Sequence, residues 1–225
     1  MKFLLRMCAV GAAVLSSLAF TATAQAAPVR CAVSPVAGID WHGCGKAGLD
    51  LHGVNLSSAN VSFANFTSAN LSNSTLNDAD MHHGIFTKVN LAGATVLRAN
   101  ANHGAFSEAI LTGADFSGAT LRAANLKGVS AAGVNLSGVD LSASNALRSV
   151  LTGANLRSAT LYNVVWRGVN LRNADLTGAD LTLAFLAGAD LTGATLTGVI
   201  TTGATFTKAI CPNGIVFGRP GANCN

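Results

Sequence analysis

The sequence predicts an all-β solenoid, a parallel β-helix of short strands that turns a corner every fifth residue. Three observations lead there. A position that is nearly always apolar recurs at every fifth residue, without a break, from Leu51 to Phe206. A small residue stands two places before almost every one of these centres, and Gly is the commonest residue two places after. The period is five, which neither a straight strand nor an α-helix keeps on one buried face.

The repeated element comes first. Of the 32 centres, 19 are Leu and five are Phe; the rest are Val61, Val96, Met81, Trp166, Ala101, Ala131, Ala146 and Thr201. The small position holds Ala in 18 cases and Val in eight, and Asn or Asp immediately precedes the centre in 18 of 32. The stretch Ala174-Asp175-Leu176-Thr177-Gly178-Ala179-Asp180-Leu181-Thr182 shows the unit without noise. On an α-helix, at about 100° per residue, successive centres would rotate by about 140° and spiral off any apolar face. On one long strand each centre would flip to the other side. The pattern holds only if the chain bends once per unit, with centre and small residue inward. Gly and Asn or Asp suit the corners, because they tolerate unusual backbone angles and cap turns. Right-angle corners close one coil in about 20 residues. Only 6% of the chain is aromatic while 50% is hydrophobic, so the core is built by repeating small units.

The flanks differ. Residues 1–26 read as an export leader: Lys2 and Arg6 precede an apolar run from Met7 to Phe20, and Ala24-Gln25-Ala26 is the small-x-small pattern of signal peptidase. Cleavage is expected after Ala26, with Ala24 the runner-up and an uncleaved anchor the competing reading. The run falls short of the ~20 residues of a membrane span, so none is expected after cleavage. Cys8 sits too early, before the apolar stretch has run, to be placed for lipid attachment. Losing two of 14 basic residues leaves 12 against 10 acidic ones, a net charge of +2 and a weak attraction for anionic partners. Cys31 and Cys44 precede the regular region, and Cys211 and Cys224 follow it. In an exported chain these read as disulfides. Of the three connectivities, Cys31–Cys44 with Cys211–Cys224 is expected, since the pairs flank opposite ends and a bridge needs Cα atoms within about 7 Å. Zinc is the competing reading, and neither pair has CxxC spacing.

The tandem A(D/N)LxX unit resembles the pentapeptide-repeat family over residues 49 to 209. The resemblance implies a right-handed quadrilateral β-helix with the centre and small residues inside. At four units per coil, 32 units give eight coils, a rod of about 38 Å at ~4.8 Å per stacked strand. The expected organisation is a leader (1–26), an N-terminal cap with a disulfide (27–48), the repeat body (49–209) and a C-terminal cap with a disulfide (210–225). The ending Cys211-Pro212-Asn213-Gly214 … Asn223-Cys224 resembles a tail of other exported members.

A 20-residue coil stacks every twentieth residue. The column Phe66, Phe86, Phe106, Leu126, Ala146, Trp166, Leu186 and Phe206 is expected to form an interior aromatic ladder, with Gly84 and Gly104 making room for Phe86 and Phe106 and a local bulge at Trp166. On the outside of that wall, Ile85, Ala105, Val165 and Phe185 stand where Asn or Asp is usual, beside Leu147, Lys127, Arg148 and Arg167. Ile85, Lys127, Arg148, Val165, Arg167 and Phe185 are the candidate partner-binding residues; apolar residues merely stacking on a β-surface are the alternative. His83 and His103 lie one above the other, near His82 and Asp80, as a candidate metal-holding or pH-sensitive pair. The repeated His-Gly-(Ile/Ala)-Phe also reads as a duplicated coil with neutral surface histidines.

Catalytic chemistry finds no footing. Glu108 is the only Glu, no phosphate loop or His-Glu-x-x-His occurs, and a side-chain-filled rod requires no pocket. The expectation is a non-enzymatic module without cofactor, exported to the periplasm or beyond, binding a protein of the cell envelope or extracellular space and no nucleic acid; end-to-end or dimeric self-association stays open. The runner-up follows from the resemblance: the best-understood members mimic B-form DNA and bind DNA gyrase. The leader, the lack of acidic charge and the uninterrupted register weigh against it. A third reading, ice or carbohydrate binding, rests on Thr177, Thr182, Thr192, Thr197, Thr202 and Thr207, which spread over all four faces.

Overall fold

From Gly38 to Lys208 every fifth residue has a positive φ, 17 times at Gly and 18 times at other residues. Nearly every such residue closes a turn in which the amide three places after a centre donates to the centre's carbonyl, as Ala59 N does to Leu56 O at 3.0 Å. A left-handed third residue is what a type II turn demands, which explains the Gly preference two places after the centre. Asn and Asp do not themselves form the corner. They sit on the flat walls, and their Oδ1 accepts the amide two residues on, as in Ser57 N to Asn55 (3.0 Å) and Thr177 N to Asp175 (2.9 Å).

The computed structural model describes residues 29–224; the leader and its cleavage site lie outside the described residues. Thirty-one parallel bridges, from Asp40↔Asn60 to Asp190↔Ile210, join each wall residue to the one 20 positions on. They make four walls: wall 1 runs through Asp40, Asn60 and onward to Ile200, wall 2 from Gly45 to Thr205, wall 3 from Asp50 to Ile210, wall 4 from Asn55 to Thr195. Each wall residue is held twice, as Asn60 N donates to Ile39 O (2.8 Å) and Asn60 O accepts from Trp41 N (2.7 Å). Side chains add ladders outside: Asn90 to Asn70 to Asp50, and Asn155 to Asn135 to Asp115. The fold is the right-handed quadrilateral β-helix, all-β, and the one helical element among the described residues is a single 3₁₀ turn, Val29–Ala32.

The ladder begins at Asp40, nine residues ahead of the expected body at 49. Gly38, Gly43 and Gly48 already hold left-handed corners, and Trp41 and Lys46 occupy centre positions. A lysine at a centre disguised the repeat. Its ammonium lies 3.5 Å over the Trp41 ring and donates to Cys31 O at 2.7 Å, and burial pushes its pKa below the ordinary value. It plugs the first coil where the cap, tied by Cys31–Cys44 (Cα–Cα 5.5 Å), folds back. From Asp40 to Ile210 the body has 170/20, or 8.5, coils.

At the other end Ile210 pairs antiparallel with Val216, Phe217 packs 5.7 Å from Phe206, and Cys211–Cys224 (Cα–Cα 4.8 Å) staples the tail. Closing loops of this length removes about 3 kcal/mol of unfolded-chain freedom each. The tail's backbone completes wall 3 alone. The amides of Leu196, Thr201 and Phe206 have no backbone partner among the described residues, and Leu196, Val199 and Ala204 are only half-buried.

Inside, almost every Leu centre is buried against Ala or Val, each worth about 1.5–3 kcal/mol relative to exposure. The aromatic ladder has three rings, Phe66–Phe86 (5.3 Å) and Phe86–Phe106 (4.8 Å), with Trp41 tilted onto its end. It stops there because Leu126 and Ala146 follow. Trp166 makes no bulge: the bridges Asn145↔Val165↔Phe185 are unbroken. Its ring fits because the centre one coil earlier is only Ala146. The indole N–H reaches Ser144 Oγ at 3.4 Å, and an apolar cavity of about 20 Å³ remains beside Ala131, Ala146 and Trp166.

Candidate interaction surface

The outward column of wall 2 reads Gly45, Asn65, Ile85, Ala105, Asn125, Asn145, Val165, Phe185, Thr205. The expected apolar strip is therefore split. Ile85 lies in the N-terminal half, and Asn125 and Asn145 separate it from Val165 and Phe185. The corner between walls 1 and 2 supplies two residues that the sequence reading missed. Tyr162 (44% exposed) and Leu183 (43%) stand beside Val165 (36%) and Phe185 (44%) on the same two coils. Leu183 holds φ +59, the only branched aliphatic residue at a left-handed corner among the described residues, a costly conformation for a bulky side chain. Gly203 follows it one coil on, where a Cβ would stand 2.7 Å from Leu183 Cδ2. A corner usually held by Gly or polar residues was the available signal.

The corner between walls 2 and 3 carries the cations. Elsewhere on the rod Arg98, Arg122, Arg157 and Arg172 reach Asp78, Asp140, Asp175 and Asp190 at 2.7 to 3.4 Å. Lys127, Arg148 and Arg167 have no carboxylate within 4 Å among the described residues. Glu108, one coil before Lys127, is 3.6 Å from Lys88. Lys127, Arg148, Glu108 and half-buried Leu147 line an open groove of about 440 Å³.

Asp175 shows how the other walls spend their charge. The Thr177 hydroxyl, its backbone amide and the Arg157 guanidinium hold the Asp175 carboxyl down to about 2. A depressed carboxylate stabilises the fold above its unfolded value of 3.8, and that contribution is lost as pH falls through about 2. A carbon-detected NMR titration should find Asp175 still ionised at pH 3, and Thr177→Val should move its midpoint upward.

His83 and His103 stack face to face at 4.7 Å and 5°, with Phe63 5.0 Å beyond His83. The in-plane nitrogens of parallel rings do not converge on one ion. Among the described residues no group of three or more His, Cys, Asp or Glu is placed to hold a metal. His82 is instead turned to Asp80, Nδ1 to Oδ1 at 2.6 Å. The six threonines all fall at corners rather than on flat walls, and Thr177 and Thr192 donate their hydroxyls to Asp175 and Asp190.

A filled β-solenoid with its distinctive chemistry on the outer walls is a repeat scaffold. The chain belongs to the pentapeptide-repeat family, whose model matches in eight copies over residues 50–87, 90–128, 98–142, 135–165, 149–186 and 184–213. Among solved structures it is similar to HetL, a pentapeptide repeat protein involved in heterocyst differentiation regulation from the cyanobacterium Nostoc sp. strain PCC 7120. The two share 26% identity, over 80% of this chain and 92% of that one, with a TM-score of 0.42. It is also similar to a trypsin-treated form of QnrB1, a plasmid-mediated fluoroquinolone resistance protein, at 18% identity, over 72% and 88% of the chains, with a TM-score of 0.56. That likeness bears on the fold alone. No curated sequence relative matches the chain.

Proposed function

We propose that this is an exported, non-enzymatic binding module that engages a protein of the cell envelope or extracellular space through the C-terminal half of wall 2. One observation carries the reading: Tyr162, Val165, Leu183 and Phe185 form an exposed apolar cluster on two adjacent coils, bordered by Arg148 and Arg167, which pair with no carboxylate of the described residues. Apolar residues grouped inside a polar rim are the usual composition of a binding site. Two disulfides and the leader pattern support export. No helix among the described residues is long and apolar enough to cross a membrane.

The test is site-specific photocrosslinking in the native cell. A photoreactive residue at position 185 should give one discrete protein adduct, and the same residue at exposed Thr195 on wall 4 should not. Identical adduct patterns at the two positions, or none at 185, would remove the reading.

A further inference from the structure

We infer that the partner docks an acidic amphipathic α-helix along the edge between walls 2 and 3, parallel to the rod axis; this rests on the binding surface proposed above. Lys127, Arg148 and Arg167 lie on three successive coils of one corner. At ~4.8 Å per coil they span about 10 Å. A helix has a pitch of about 5.4 Å, so residues i, i+4 and i+7 rise along nearly the same interval. Carboxylates at those positions meet the three cations in turn. A strand laid the same way repeats its side chains about every 6.7 Å and drifts out of step.

Charge complementarity sets the partner's sign. The other arginines of the walls already hold aspartates, which caps their capacity for a new anion. The guanidinium groups of Arg148 and Arg167 make no hydrogen bond to a side chain or backbone of the described residues. Glu108 limits the site at its N-terminal end, where it and Lys88 restore a balanced pair. Beside Arg167 and one coil further on, Val165 and Phe185 on wall 2 flank the edge and bury the helix's apolar stripe. The helix thus turns its acidic residues to the edge and its aliphatic ones to wall 2. Its charges draw the partner in from solution, and the apolar stripe holds it.

Fluorescence anisotropy with two synthetic helical peptides tests this on the full oxidised protein. One peptide carries Glu at i, i+4 and i+7 beside a leucine stripe; its companion carries Lys at those positions and the same leucines. The acidic peptide should bind at least about ten-fold tighter at low ionic strength, and that margin should shrink as added salt screens it. Arg148→Glu combined with Arg167→Glu, with circular dichroism showing the rod intact, should reverse the preference toward the lysine peptide. Phe185→Ser should weaken both peptides and leave their ratio unchanged. Equal binding of the two peptides, failure of the acidic one to bind, or a folded charge-reversed variant that keeps the acidic preference would each overturn the inference. A partner crosslinked at position 185 whose capture ignores salt and charge reversal would overturn it while leaving the binding-module reading intact.

Discussion

Trp166→Ala should destabilise the rod by about 3–5 kcal/mol, the range for emptying a large buried aromatic site. The indole is fully buried at a centre position, surrounded by leucines, and already borders a small apolar cavity. Truncation enlarges a void that neighbours locked in ladder bonds cannot fill, because a wall can move inward only by breaking Ala146 N to Val165 O or Trp166 N to Phe185 O. Ala146 and Trp166 divide one column's volume between two coils. Ala146→Leu alone should therefore also destabilise, by overpacking, at about 1–3 kcal/mol. Combined with Trp166→Leu it should recover most of the loss. Urea unfolding of the parent, Trp166→Leu, Ala146→Leu and their combination measures the coupling. Additive single effects would mean that the two side chains do not share space.

The second large effect is expected at Gly84 and Gly104. Neither has a positive φ, so the backbone would accept a side chain. Space forbids it. A Cβ on Gly104 would stand 2.5 Å from Phe106 Cε2 and 3.0 Å from Ala101 O, and one on Gly84 would meet the Phe86 ring in the same way. Gly84→Ala and Gly104→Ala should each cost about 1–3 kcal/mol, and together they should disperse the Phe66–Phe86–Phe106 stack, seen as lost near-ultraviolet dichroism. Phe86→Leu should rescue Gly84→Ala, since a branched aliphatic residue withdraws the offending ring edge. A Gly84→Ala protein as stable as the parent would show that the glycine is not making room for the ring.

The coil was legible because its cause is local. An apolar centre and a small partner recur at a fixed spacing, and the backbone has one way to honour that spacing. Where the spacing was hidden, the reading stopped early: Lys46 at a centre breaks the apolar pattern, although Gly43 and Gly48 already kept the corner rhythm. Trp166 misled because residue size was judged alone, whereas its room comes from Ala146, 20 residues away. The surface was less legible. Stacking by twenties placed Val165, Phe185, Arg148 and Arg167 together. Tyr162 and Leu183 escaped because they sit on a corner rather than in the wall column. Which cations lack an acid also depends on how far each side chain reaches across coils: Arg157 finds Asp175 at a separation of 18, and Arg148 finds none.

The strict i to i+20 pairing gives this molecule an arithmetic of insertion. Adding or removing a whole circuit of 20 residues leaves every later side chain facing as before, so such proteins can lengthen without redesign, and the twin His-Gly-x-Phe circuits have the look of that event. Adding a single unit of five between Arg148 and Leu161 would also keep every centre and small residue facing inward, but it would stack each coil on a different neighbour, placing Leu161 rather than Trp166 over Ala146, and it would swing Val165, Arg167 and Phe185 a quarter revolution away from Lys127 and Arg148. Two descendants could thus share core, length class and composition while presenting unrelated outer faces.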